Sequence, residues 1–298
     1  MPAAPNLLSP SILSRLSTVA LRARHLVEGT LSGIHKSPHK GSSIEFLEHK
    51  RYSPGDDIRH LDWKLIARSD RFYVKQFEDE TNLRAVLVLD ASASMGYGPA
   101  GPSKFDTARL AAAALAYLLL SQSDAAGVLS QLNARRLYVP PRTHWAHFRA
   151  IAHALQRLQP AGGHHWLDHL VALAGSFHKR SMFVLFSDLL LDRDALIRAL
   201  RLLRERRHEV ILFHVLHPYE LEFPFLAPTL FTDMEDPSRS ILADPAACRQ
   251  EYLARLSDLC AFYREESGEI EVGYHLLRSD SPLEEALVQY LASREARA

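Results

Sequence analysis

Short runs of consecutive apolar residues alternate with longer amphipathic stretches from about residue 85 onward. The runs AVLVL at 85–89, MFVLF at 182–186 and VILFHVL at 210–216 contain almost no polar residue. Strands that are covered on both faces by helices have this pattern, because neither face of the sheet meets water. The alternation therefore predicts an α/β fold with a doubly wound, mainly parallel sheet.

Apolar periodicity and the residues that flank each run place the individual elements. The predicted strands span 85–89, 126–132, 182–186, 210–216 and 269–276, with a short edge strand at 229–232. The predicted helices span 105–120, 144–158, 166–177, 192–206, 245–265 and 282–293.

Two segments precede this alternating region. Residues 11–28 carry a loosely helical pattern of apolar positions, which predicts an N-terminal helix. Residues 33–70 are rich in glycine, proline, serine, histidine and charge, and they predict an irregular but ordered loop region. We therefore divide the chain into an N-terminal helix and loop extension, 1–80, and an α/β domain, 81–298.

The charge and the apolar content favour a soluble cytoplasmic protein. The chain of 298 residues has 35 basic and 35 acidic side chains, so no overall field attracts nucleic acid or an anionic membrane. Its longest apolar run, 110–120, is shorter than the roughly 20 residues that a membrane span needs. The N-terminus lacks the basic region of a signal peptide. Cys248 and Cys260 share one predicted helix, too far apart for a disulfide, which fits a reducing compartment.

Oxygen-bearing side chains follow two of the predicted strands. Asp90, Ser92 and Ser94 occupy alternate positions after the first strand, and Ser187 and Asp188 follow strand 182–186. The carboxyl ends of parallel strands meet at one edge of a sheet, where ligands bind. Hard oxygen donors suit Mg²⁺ or Mn²⁺, with positions left for water or an incoming carboxylate. The pattern predicts a metal site, although Asp90 and the serines would also serve as ordinary turn residues.

The chain also resembles a known family over nearly all of its length after the N-terminal helix. The resemblance is carried by EF at Glu45 and Phe46, RYSPGDDIRHLDW from Arg51 to Trp63, AR at Ala67 and Arg68, Glu80, LDASASM and FSD. These motifs are similar to those of the bacterial domain-of-unknown-function family fifty-eight. Members of that family combine this signature with a von Willebrand factor A-like fold, and they are typically encoded beside MoxR-type AAA+ ATPases.

The resemblance implies a non-enzymatic adaptor or chaperone-like partner of a MoxR-type AAA+ ATPase, with a client protein as a further partner. It also implies that Asp90, Ser92 and Ser94 form the first loop of a metal-ion-dependent adhesion site, with Asp188 in the third loop. The second loop departs from the pattern, because His164 or His165 stands where a threonine usually follows a glycine. Imidazole prefers softer ions than Mg²⁺, so the departure bears directly on whether metal is bound.

The signature segment is balanced in charge around one tryptophan. Such a set favours an ion-pair network that fixes a loop, and the alternative is a surface on which a partner docks. The residues concerned are Arg51, Asp56, Asp57, Arg59, Asp62, Trp63 and Arg68.

Other kinds of site have weaker support in the sequence. His165 and His169 lie four residues apart on a predicted helix, as do His164 and Asp168, and this spacing would suit zinc. The motif G-x-G-x-x-G from Gly96 to Gly101 invites a dinucleotide site, but it stands too far from the preceding strand.

Two further functions remain as alternatives to the adaptor. A metal-dependent hydrolase or phosphatase would use the strand-end carboxylates, but the strand ends have neither a nucleophile elbow nor a closely following lysine. Nucleic-acid binding by the arginines of helix 192–206 is less simple than a solvated basic face over an apolar one.

Overall fold

The computed structural model describes residues 45–51, 72–78 and 83–281. Residues 83–281 belong to one compact unit, and the two earlier segments belong to another. In the latter, strands β1 (Glu45–Arg51) and β2 (Tyr73–Glu78) pair antiparallel, with a bulge between Phe46 and Glu48. Arg51 is the last residue of β1. The predicted terminal helices, 11–28 and 282–293, lie outside the described residues, as do Asp56, Asp57, Arg59, Asp62, Trp63 and Arg68.

The larger unit alternates strands and helices along the chain. A 3₁₀ turn at Ala93–Gly96 follows the first strand of this unit. The strands are β3 (Arg84–Leu89), β4 (Ala125–Leu132), β5 (Arg135–Arg142), β6 (Met182–Ser187), β7 (Glu209–Leu216), β8 (Thr229–Thr232), β9 (Ser240–Ala243) and β10 (Gly273–Arg278). The helices are α1 (Lys104–Ser121), α2 (His147–Arg157), α3 (His165–Ala174), α4 (Arg193–Glu205), α5 (Pro218–Glu222) and α6 (Pro245–Glu269).

Six strands form the main sheet in the order β10-β7-β6-β3-β4-β5. Five of them are parallel, and β5 pairs antiparallel with β4 at one edge. Strands β8 and β9 form a separate antiparallel hairpin. The predicted α/β class with a doubly wound, mainly parallel sheet is confirmed.

Helices cover both faces of this sheet. On one face, α1 and α2 pack on alternate residues of the central strand, Ala85, Leu87 and Leu89. On the other face, α3, α4 and α6 pack on Val86 and Val88. Because side chains alternate along a strand, every residue from 85 to 89 is buried by one layer or the other. This double burial accounts for the unbroken apolar run.

The structure adds one strand to the prediction and moves the start of another. Strand β5 was not predicted, because its sequence RRLYVPPR has no apolar run, and its two prolines are tolerated at a sheet edge, where no neighbour needs their missing N–H. The last predicted strand began at 269, but α6 continues to Glu269 and β10 begins at Gly273.

Two further observations bear on the expectations drawn from composition. No helix within the described residues combines the length and apolarity needed to cross a membrane. Cys248 and Cys260 both lie on α6, and both are free thiols.

Candidate functional site at the carboxyl ends of the central strands

The site begins where the two central strands end. Strands β3 and β6 are parallel neighbours, and Leu89 pairs with Phe186 in the last register position. Asp90 extends the ladder by donating its N–H to the carbonyl of Phe186 at 2.9 Å. Asp90 and Asp188 therefore leave the sheet side by side, and both side chains are fully buried.

Local hydrogen bonds fix the carboxylate of Asp90. Its Oδ1 accepts the N–H of Ser92 at 2.8 Å, and its Oδ2 accepts the hydroxyl of Ser187 at 2.6 Å. The hydroxyls of Ser92 and Ser94 lie 3.2 Å apart. The alternating Asp-x-Ser-x-Ser pattern therefore brings one carboxylate and two hydroxyls together at the strand end.

A buried lysine that the sequence reasoning missed neutralises the second carboxylate. Lys104, on the first turn of α1, donates to Asp188 Oδ2 at 2.8 Å and to Glu220 Oε1 at 2.7 Å. Burial disfavours the charged ammonium, but the two carboxylates outweigh it and raise the pKa of Lys104. Burial disfavours the charged carboxylate of Asp188 and would raise its pKa, but Lys104 lowers this pKa below its ordinary value. The pair is therefore charged, and it ties α1 and α5 to the end of β6.

The loop before α3 brings His164, but not His165, to the site. The Nδ1 atom of His164 lies 3.6 Å from Asp90 Oδ2, and its Nε2 atom lies 2.9 Å from Glu235 Oε1. Burial opposes the imidazolium, but Asp90 and Glu235 raise the pKa of His164 above its usual value. His165 is exposed on α3. The second-loop position is thus occupied by a basic ring that faces two carboxylates.

A fourth acidic side chain enters from the β8–β9 hairpin, which the sequence reasoning did not connect with the site. Glu235 lies in the loop between β8 and β9, and its Oε1 accepts the hydroxyl of Ser94 at 3.3 Å. Burial raises the pKa of Glu235, and His164 opposes this rise. Ser94 and Glu235 are 141 residues apart in the chain, so local pattern reading has no signal for their contact.

Polar groups beneath the site hold the third loop. His214 on β7 is fully buried, and its Nε2 lies 3.0 Å from the carbonyl oxygen of Asp188. Its Nδ1 lies 2.8 Å from the hydroxyl of Tyr274. Burial lowers the pKa of His214 to about 4. A neutral ring suits this arrangement, because one nitrogen donates to the carbonyl and the other accepts from the hydroxyl.

The donor set fits a hard divalent cation. Asp90, Ser92 and Ser94 offer oxygen only, and the 3.2 Å between the hydroxyls is close to the roughly 3 Å expected of adjacent ligands around Mg²⁺. Four carboxylates, those of Asp90, Asp188, Glu220 and Glu235, surround one lysine and one histidine. This excess of negative charge favours a further cation.

The structure brings no third zinc ligand to the histidine pairs of α3. Within residues 45–51, 72–78 and 83–281, no three His, Cys, Asp or Glu side chains are arranged to hold a metal ion. His169 Nε2 lies 3.3 Å from the carbonyl oxygen of Ala134, and His165 and Asp168 are exposed.

The loop between β3 and α1 requires glycine at positions 98 and 101 for structural reasons. A Cβ atom on Gly98 would lie 2.6 Å from the Cα of Ser103, and Gly101 has a φ of +96°. Ser103 caps α1, since its side chain accepts the N–H of Asp106. Close packing and one left-handed residue therefore account for Gly98 and Gly101 without a phosphate ligand.

A comparison with family models identifies the family. Residues 48–258 match the family model described as "Protein of unknown function DUF58". The chain is 32% identical over 241 residues to "Uncharacterized protein Rv1480" of Mycobacterium tuberculosis, covering 80% of this chain and 75% of that protein.

Solved structures similar to this chain include the following two. One is the crystal structure of "conserved hypothetical protein BatB" from Bacteroides thetaiotaomicron, with a TM-score of 0.44, 14% identity and coverage of 72% of this chain and 97% of that chain. The other is the SpRpn10 VWA domain, with a TM-score of 0.39, 13% identity and coverage of 69% and 94%.

Proposed function

This chain belongs to the DUF58 family. On that premise we propose that it is a non-enzymatic protein-interaction adaptor. It contacts its partner through Asp90, Ser92, Ser94 and Asp188 at the carboxyl ends of β3 and β6, which we call the strand-end site. The partner that we propose is a MoxR-type AAA+ ATPase, as the signature residues from Arg51 to Trp63 imply by their resemblance to family members encoded beside such ATPases. We place the interaction in the cytoplasm.

The convergence of Asp90, Ser92 and Ser94 is the observation that carries this proposal. In the proposed complex these three residues hold Mg²⁺ or Mn²⁺ directly, and Asp188 acts through its remaining oxygen or through water. The bound cation supplies a positive centre to which an aspartate or glutamate of the partner attaches. Ser187 and the N–H of Ser92 keep the Asp90 carboxylate oriented before the cation arrives.

The non-enzymatic part of the proposal is supported by the engagement of the reactive groups. Lys104 is held between Asp188 and Glu220, so its ammonium is already committed to two carboxylates. The hydroxyl of Ser187 donates to Asp90, and that of Ser94 donates to Glu235. A hydrolase would instead present a hydroxyl or water to a general base near an open substrate position.

Metal binding is tested with Mn²⁺, whose binding is measured by electron paramagnetic resonance. We expect one bound ion in the wild-type protein and at least tenfold weaker binding in Asp90→Asn and in Ser94→Ala. Asp168→Ala is the matched control, because Asp168 is an exposed acid on α3 outside the site. Circular dichroism verifies that each variant is folded.

The partner is tested by capture of the purified MoxR-type ATPase with and without EDTA. We expect EDTA and Asp90→Asn each to abolish capture, whereas Asp168→Ala leaves it unchanged. Capture that is indifferent to both EDTA and Asp90→Asn would exclude a metal-mediated contact. Robust phosphatase or esterase turnover that is lost in Asp90→Asn would replace the adaptor with the hydrolase.

A further inference from the structure

We propose that Glu235 is an intramolecular ligand of the strand-end site, and that it occupies the position which a partner's carboxylate takes in the complex. This inference rests on the proposed function, because it names the chemistry of the partner group and the contact that the partner must displace. The β8–β9 hairpin then acts as a built-in competitor, which keeps the site closed until an acidic side chain of the partner replaces Glu235.

The contacts of Glu235 are those that an incoming carboxylate would make. Its Oε1 atom lies 3.3 Å from the hydroxyl of Ser94 and 2.9 Å from Nε2 of His164. These two residues come from the first and second loops of the site, and His164 also faces Asp90 at 3.6 Å. A carboxylate in this place therefore spans both loops and completes the set of oxygen atoms around Ser92 and Ser94.

The loop that carries Glu235 is shaped by its own hydrogen bonds. Asp233 Oδ1 accepts the N–H of Glu235 at 2.8 Å and that of Asp236 at 3.2 Å, and Asp236 pairs with Arg239 at 3.1 Å. None of these bonds uses the side chain of Glu235. Removal of this side chain should therefore leave the loop folded and open only the position that its carboxylate occupied.

The hairpin is also suited to moving aside. Its two strands have only four residues each and form a sheet separate from the main one. Ile241 and Leu242 on β9 are 65% and 70% exposed, whereas Phe231 on β8 packs against the rings of Phe223 and Phe225. Because β9 is largely exposed, the hairpin can tilt about Phe231 without exposing much further apolar surface, which is typical of segments that open locally.

The tether sets the scale of the competition. A ligand on a short flexible connection acts at an effective concentration on the order of millimolar. A free monocarboxylate must exceed this concentration to compete with Glu235. The hydrogen bonds of its loop hold Glu235 in place, so its effective concentration exceeds that of a freely flexible tether. Loss of the Glu235 side chain removes this competitor, and the affinity for a free carboxylate should therefore rise at least tenfold.

The test uses sodium acetate as the probe, at constant ionic strength, with amide chemical shifts of Ser92 to Met95 as the readout. We expect acetate to bind Glu235→Ala at least tenfold more tightly than the wild-type protein. Acetate should also bind Glu235→Gln more tightly than the wild type, because the uncharged amide forms no ion pair with His164. Glu251→Ala is the control, because Glu251 is an exposed glutamate of α6 paired with Arg255. It should bind acetate as the wild type does.

Equal acetate affinities of the wild type and both Glu235 variants, whether measurable or too weak to detect, would overturn the proposal. The titration is made first without metal, since Ser94 and His164 contact the carboxylate directly, and then with Mg²⁺. A failure of the wild-type protein to bind Mn²⁺ would remove the metal from the proposed function, but it would leave the comparison made without metal intact.

Discussion

Substitution of Lys104 by methionine should be among the most destabilising single changes in the larger unit. Lys104 is 1% exposed, and it is the charged partner of Asp188, which is fully buried, and of Glu220. Methionine keeps most of the aliphatic volume of the lysine stem but removes the ammonium. The variant therefore tests the electrostatic contribution with little change in packing.

The expected loss follows from the burial of the remaining acid. Removal of one partner from a buried ion pair typically costs about 3–5 kcal/mol, because the other charge is left without compensation. Total stabilities of native domains are about 5–15 kcal/mol, so a loss of this size is easily measured.

The loss should also depend on pH. In the wild-type protein the pKa of Asp188 is lowered, so the pair stabilises the fold above the unfolded pKa and this contribution fades as the pH falls. In Lys104→Met, burial raises the pKa of Asp188, and uptake of a proton relieves the unpaired charge at low pH. The difference between the two proteins should therefore shrink as the pH is lowered from 8 to 5.

The free energy of unfolding is measured in urea, with the fluorescence of the buried Trp166 and far-UV circular dichroism as probes. The matched control is Arg255→Met, which breaks an exposed ion pair with Glu251, the two side chains being 78% and 66% exposed. We expect less than about 1 kcal/mol there. The double variant Lys104→Met with Asp188→Asn should be less destabilised than the sum of its single changes, by about 1–3 kcal/mol.

Two results would refute this reasoning. One is a loss for Lys104→Met no greater than that for Arg255→Met. The other is simple additivity in the double variant, which would mean that the ammonium and the Asp188 carboxylate do not stabilise each other.

Two further changes test the surroundings of the site. His214 has a folded pKa of about 4, so the unfolded chain binds more protons than the folded protein between pH 6.5 and 4. As the pH is lowered through this range, His214 should reduce the free energy of unfolding of the wild-type protein by about 1.4 kcal/mol per pH unit. The substitution His214→Gln should remove this slope in urea titrations. Gly127→Ala should lose about 1–3 kcal/mol, because the new Cβ would lie 2.5 Å from the carbonyl oxygen of Val139 on the edge strand β5. Gly175→Ala, whose nearest contact is 3.7 Å, is the control, and an equal loss in both glycine variants would contradict this explanation.

The sequence alone determined the layered fold and the first part of the site. Apolar runs such as 85–89 have no polar face, so they predict strands covered on both sides, and the helical periods between them predict the crossovers. Asp90, Ser92 and Ser94 follow a buried strand within five residues, and this short spacing makes their convergence readable without a structure.

Tertiary structure alone decided how the charges of the site are balanced. Lys104 meets Asp188 across 84 residues and Glu220 across 116, and Glu235 meets Ser94 across 141. Periodicity describes only neighbours along one element, whereas these contacts depend on which helix and which hairpin the sheet order brings to the same edge. The sequence therefore identifies the strand-end carboxylates, and only the packing of α1, α3 and the hairpin determines which groups face them.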